Sequence, residues 1–147
     1  MRSLPYVIVY SIGTSGQRII IEDSAVEHLL QHRQLWWYRK EAGGQLFARI
    51  EGDCLHVVEA TGPRRTDRRT RTGYHPDRRA EQAEIAERHP KGLHFVGDWH
   101  THSDTEPQPS GRDLSSMAEC FSKSAHNLNG FLLLIVGTTN PPAGIHA

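Results

Sequence analysis

Apolar and polar positions along the chain change period several times, and each change marks an element. Ile19 to Ile21 is a short β-branched run, which predicts a strand. The period then lengthens. Val26, Leu29 and Leu30 recur at helical spacing behind Asp23 and Ser24, either of which can cap a helix start. Gln45 to Ile50 reads as a strand, Glu51-Gly52-Asp53 as a tight turn and Cys54 to Ala60 as the returning strand, so this stretch predicts a hairpin. Gly43 and Gly44, just ahead of it, permit unusual backbone angles or a close approach.

From Arg64 to Gly73 apolar residues thin out, and a loop or irregular edge is expected. Helix formers fill the stretch between Pro76 and Pro90. "GLHFVGDWHTH", Gly92 to His102, follows as a strand with a mostly apolar body. A polar, proline-rich loop covers Ser103 to Pro109, and Ser110 opens another helix that runs to Lys123. "GFLLLIVG", Gly130 to Gly137, is a continuous apolar run of strand length, expected to be buried on both faces. The tail from Thr138 reads as coil. This mixed order predicts an α/β fold, a central sheet flanked by helices, in a single domain over residues 1–147.

Charge adds one feature. Lys and Arg (17) balance Asp and Glu (17), so bulk charge points to no partner. Locally, however, Arg64, Arg65, Arg68, Arg69, Arg71, Arg78 and Arg79 face only Asp67 and Asp77. Cys54 and Cys120 give neither a disulfide framework nor metal-ligand spacing, and are read as reduced thiols of a cytoplasmic protein. The N-terminal stretch reads as the start of the fold, not a signal peptide, and no apolar run reaches membrane-spanning length.

The chemistry concentrates in "HTHSDTEPQPSGRD", His100 to Asp113. Side chains alternate along a strand, so His100 and His102 share a face and Thr101 takes the other. Two imidazoles there can bind one metal ion, and Asp113 offers a third, hard ligand. Two nitrogens, one oxygen and an open position form the pattern of a catalytic zinc site. Pro107 and Pro109 stiffen the connection to Asp113. Ser110, one helical turn earlier, can donate to an oxyanion. Glu41 is the candidate general base, although local spacing does not bring it to the histidines. A simpler reading stays open for the serine and aspartate: Ser-x-x-Asp at a helix start is also a capping box variant.

These residues resemble the metal-binding motif of the JAMM/MPN metalloproteases, His-x-His followed by Ser-x-x-Asp, and "EAGGQLF" resembles that family's upstream glutamate segment. The resemblance covers Ile19 to Gly137. It implies the MPN/JAMM (cytidine-deaminase-like) fold. It also implies Zn2+ held by His100, His102 and Asp113, Glu41 as general acid/base, and Ser110 stabilising the tetrahedral intermediate. Such enzymes cleave after the C-terminal tail of a ubiquitin-like or similarly conjugated protein, and others process sulfur-carrier proteins. Many members carry proline after the second histidine where this chain has Ser103, which puts the loop path in question more than the chemistry.

Size and the Glu-x-Gly-Gly form resemble stand-alone bacterial members of the CBASS antiphage type. For these, the implied partners are a conjugated cGAS-like nucleotidyltransferase and an E1/E2-like conjugating enzyme. Non-catalytic and DNA-associated relatives of the fold are the competing classes. The complete set of five residues argues against the first. Against the second, Tyr74 is the one aromatic in the arginine stretch and no nucleic-acid motif accompanies it, so neither nucleic acid nor membrane is an expected partner.

A substrate tail is expected to pair with a sheet edge near Glu41 to Ala48 and Arg64 to Tyr74. For the arginines, a solvated loop is the competing expectation. Trp36, Trp37 and Tyr38 are expected to serve core and rim packing.

Overall fold

The structure, a computed structural model, describes residues 7–11, 16–36, 38–105, 107–108, 131–141 and 143–147. In chain order the elements are β1 (Ile8–Ser11), β2 (Arg18–Ile21), α1 (Asp23–Gln31), β3 (Gly43–Glu51), β4 (Cys54–Ala60), β5 (Arg68–Arg69), β6 (Tyr74–His75), α2 (Arg78–Arg88), β7 (His94–Thr101), β8 (Leu132–Val136) and β9 (Ile145–His146). Seven strands form one mixed sheet in the order β1-β2-β4-β3-β7-β8-β9, and β5 pairs with β6. The helix expected from Ser110 to Lys123 lies outside the described residues.

The β3–β4 hairpin turns where the sequence indicates, with Gly52 at a φ of 57° that side-chain-bearing residues rarely adopt. Its two strands, together with β7, make the middle of the sheet. The β2–β4 and β7–β8 pairs are parallel, and the others in the sheet are antiparallel. The last three residues of β8, Leu134 to Val136, are fully covered, as an apolar run without alternation requires.

Among the described residues, one α-helix packs on each face. α1 turns Ala25, Val26 and Leu29 inward, and its His28 and His32 rings lie 5.8 and 5.7 Å from the Trp99 ring. α2 covers the opposite face, where the Arg88 guanidinium sits 5.0 Å over the Phe47 ring. Asp77 caps α2 by accepting from the backbone N–H of Arg79 (3.0 Å) and Ala80 (3.4 Å).

Three expectations are corrected. The N-cap of α1 is Glu22, without a side-chain capping bond, while Asp23 Oδ1 accepts from the next N–H at 2.8 Å. The tail contributes β9, because Ile145 and His146 pair with Val136 and Ile135. The arginine stretch is only in part a solvated loop: Arg65, Arg68, Arg71, Arg78 and Arg79 are exposed, but Arg68 opposite His75 and Arg69 opposite Tyr74 form the short β5–β6 hairpin.

Candidate active site

Strand β7 is fixed through its α1-facing side chains. Trp99 is buried and donates from Nε1 to the carbonyl of Thr61 at 2.8 Å. Thr101 is fully buried, accepts from the N–H of Ala42 at 2.9 Å and donates to Gln34 Oε1 at 2.9 Å. Alternation then sends His100 and His102 to the other face. Both are half-buried, with ring centroids 5.0 Å apart and planes at 47°. Asp104 Oδ2 lies 3.9 Å from His102 Nδ1, near enough for attraction and too far for a hydrogen bond.

The neighbouring strand settles where Glu41 sits. Gly43 pairs with His100, Gly44 with Trp99 and Gln45 with Asp98 in an antiparallel ladder. One residue further, the N–H of Thr101 donates to the carbonyl of Ala42 at 2.9 Å. Continued by one more residue, this register sets Glu41 across from His102. Directly opposed residues share a face, so Glu41 lies on the histidine side. The two glycines allow this approach. A Cβ on Gly43 would lie 2.6 Å from the Tyr74 ring, and one on Gly44 would lie 1.6 Å from the carbonyl oxygen of Thr61.

Toward α2 the same face becomes a buried polar layer. Gln45, with its amide nitrogen toward α2, donates to the Glu81 carbonyl (3.1 Å) and to Glu84 Oε1 (3.0 Å). Burial, then the charge of Glu81, pushes the Asp98 carboxyl up to about 7. Burial likewise raises Glu81, against the opposing pull of Arg78. Arg64 bridges Glu84 and Asp67. Burial pushes the Asp67 carboxyl up, but the N–H groups of Arg64 and Asp77 and the Tyr74 hydroxyl outweigh it and hold the group below the usual range.

Of the five site residues expected from sequence, His100 and His102 share one face of β7, and the strand register sets Glu41 across from His102. Ser110 and Asp113 lie outside the described residues, as do Trp37 and Cys120. Among the described residues no group of three His, Cys, Asp or Glu is gathered to hold a metal. The donor chemistry fits zinc: two imidazoles on one strand face, with the third ligand expected from Asp113.

Two other expectations fail. Trp36 and Tyr38 are 60% and 61% exposed, because the connection from α1 to β3 turns Gln34 inward and leaves these two rings outside. From Leu46 to Ala48 β3 offers no edge to a substrate tail, since β4 and β7 take both of its ladders. The roles of Gln34, Thr101 and Arg69 escape the sequence. Only the alternation around His100 hints at Thr101.

Comparison with known proteins shows the family and the fold. The family model described as prokaryotic homologs of the JAB domain matches residues 22–145. The chain belongs to this family. Two curated proteins similar to this JAB domain are named CD-NTase/cGAS isopeptidase. The one from Vibrio cholerae is 33% identical over 125 residues, covering 81% of this chain and 76% of that protein. The one from Enterobacter hormaechei is 29% identical over 142 residues, covering 95% and 77%. A Desulfitobacterium hafniense protein of known solution structure aligns with a TM-score of 0.57 at 22% identity, over 82% of this chain and 75% of that one. The JAB domain therefore has the α/β, MPN/JAMM-like fold that the resemblance implies. Among its described residues, no helix is long and apolar enough to cross a membrane.

Proposed function

We propose that the chain is a zinc-dependent isopeptidase or peptidase that cleaves after the extended C-terminal tail of a conjugated protein. Its substrate is a cGAS-like nucleotidyltransferase (CD-NTase) in the bacterial cytoplasm, joined there by an E1/E2-like enzyme, and the reaction serves antiphage defence. The observation that supports this reading most is the register of β3 and β7, which sets Glu41 across from His102 on the face shared with His100. The isopeptidase names of the relatives support the reaction class and the substrate.

His100, His102 and Asp113 hold the metal in this reading. When bound, zinc supplies Lewis acidity and makes water at the site acidic enough to deprotonate near neutral pH. Glu41 takes a proton from the attacking water and hands it to the departing amine. Ser110 donates a hydrogen bond to the oxygen that gains charge at the scissile carbonyl. Amide and water become a carboxylate and a protonated amine, which carries both protons of the water, with no other reactant consumed.

The test uses a CD-NTase fused through its C-terminal carboxyl to a fluorescent protein. The zinc-supplied chain is expected to release the fluorescent protein by one cut at the CD-NTase C-terminus, located by intact mass. An uncut fusion, or cuts scattered through the CD-NTase, defeats the proposal.

A further inference from the structure

The main chain of Glu41 is held by a separate element, the β5–β6 hairpin. Its N–H donates to the carbonyl of Thr70 at 2.7 Å, and its carbonyl accepts from Arg69 Nε at 2.7 Å. Ala42 then accepts the N–H of Thr101, and the sheet ladder begins at Gly43. Both peptide groups that set the direction of the Glu41 side chain are therefore fixed by two consecutive residues of the arginine hairpin. Resting on the functional reading above, we infer that Arg69 is a positioning residue for the Glu41 carboxylate and does not grip the substrate.

The hairpin is built firmly enough to hold a strand end. Thr70 N–H donates to the Gly73 carbonyl at 2.9 Å, closing its turn. Gln34, 5% exposed, donates from Nε2 to the Arg71 carbonyl at 3.2 Å while its Oε1 accepts from Thr101. One buried amide thus connects the hairpin to the residue between the two histidines. At the other end Asp67 takes the Tyr74 hydroxyl (2.7 Å) and the Asp77 N–H (2.8 Å), and the Tyr74 ring fills the space over Gly43.

Arginine suits this position. Nε–H is a rigid, in-plane donor partway along the side chain, and its charge strengthens a bond to a neutral carbonyl. Lysine has no donor at that point and would have to fold its ammonium back. Arg69 is half-buried, as is Arg64 in its bridge to Glu84, whereas Arg65, Arg68, Arg71, Arg78 and Arg79 are exposed, so a run that looks uniform in sequence is divided, and Arg69 is the member turned to Glu41. The sequence suggests that these arginines hold substrate, which predicts a higher KM when they are removed. A positioning role predicts a lower kcat with KM unmoved.

The experiment compares Arg69→Met, Arg69→Lys and the surface control Arg79→Met in the full, zinc-supplied chain, with the CD-NTase fusion as probe. Arg69→Met should lower kcat on the order of 10- to 100-fold, the cost of displacing a reacting group by about 1 Å. KM should stay within about twofold and zinc content should match the parent. Arg69→Lys should recover part of the loss, and Arg79→Met should behave as the parent. In the metal-free chain, hydrogen exchange at the Glu41 amide should be faster in Arg69→Met, a readout that does not depend on turnover. If Arg69→Met folds poorly, kcat is taken per zinc-bearing chain, and Arg69→Lys decides.

Wild-type kcat in Arg69→Met, or a raised KM with kcat intact, overturns the inference. Glu41→Gln separates the two levels. If it is inactive while Arg69→Met runs at full rate, the inference alone fails. If it cleaves normally, or if the parent leaves the fusion intact, the functional reading fails and takes the catalytic meaning of the clamp with it.

Discussion

Glu41→Gln is expected to lower kcat for cleavage of the CD-NTase fusion by about 100- to 10,000-fold, the range for loss of a general acid–base group. The substitution keeps the size and shape of the side chain. It leaves untouched the main-chain bonds to Thr70 and Arg69, and the half-buried setting tolerates an amide. What disappears is the capacity to take a proton from water and return it to the amine. The histidines are unaltered, so zinc content and the thermal midpoint should match the parent, and KM should change little. Single-turnover cleavage beside metal analysis on the same sample separates these quantities. A Gln variant retaining more than about a tenth of the parental kcat would show that the proton is carried by another group.

His100→Ala should remove metal and cleavage together. His100 sits inside the sheet, paired with Gly43 on one side and Ile135 on the other, so its backbone has no freedom to bring in a substitute ligand. Losing an outer partner of a ligand costs about 10- to 100-fold in metal affinity, and losing the ligand itself costs more. The fold should survive, because the ladder bonds are main-chain bonds and the ring is half-buried. The contrast with Glu41→Gln is the informative part: one variant keeps zinc and loses turnover, the other loses both. Circular dichroism and metal content, measured together, check it. Parental zinc content in His100→Ala would remove this histidine from the ligand set.

Much of this architecture is readable from local pattern. The Glu51-Gly52-Asp53 turn and its flanking runs give the β3–β4 hairpin, because the two strands are neighbours in sequence and the turn sets their register. The period of two in Trp99 to His102 puts the histidines on one face without any knowledge of the partner strand. Pro76, Asp77 and Pro90 bracket α2 by the chemistry of helix ends.

What escapes depends on contacts distant along the chain. Nothing near Glu41 says that Gly43 pairs with His100. That register comes from close packing at the glycines against Tyr74 and Thr61, residues that look unrelated in sequence. The arginines are alike as letters, yet Arg64 closes a buried bridge to Glu84, Arg69 holds Glu41 and Arg65 meets solvent. Trp36 and Tyr38 carry an apolar signal that hydropathy assigns to the interior, and the exposed connection after α1 overrides it. β9 is two residues long, too short for any periodicity to mark.

Metal analysis of the purified wild-type chain bears on all of this at once. After exposure to zinc and removal of the excess, about one zinc should remain per chain, as a site of two imidazoles and a carboxylate demands. Stripping it with a chelator should stop cleavage of the CD-NTase fusion, and returning zinc should restore it. A chain that retains no zinc, or that cuts the fusion equally well after stripping, would contradict the account.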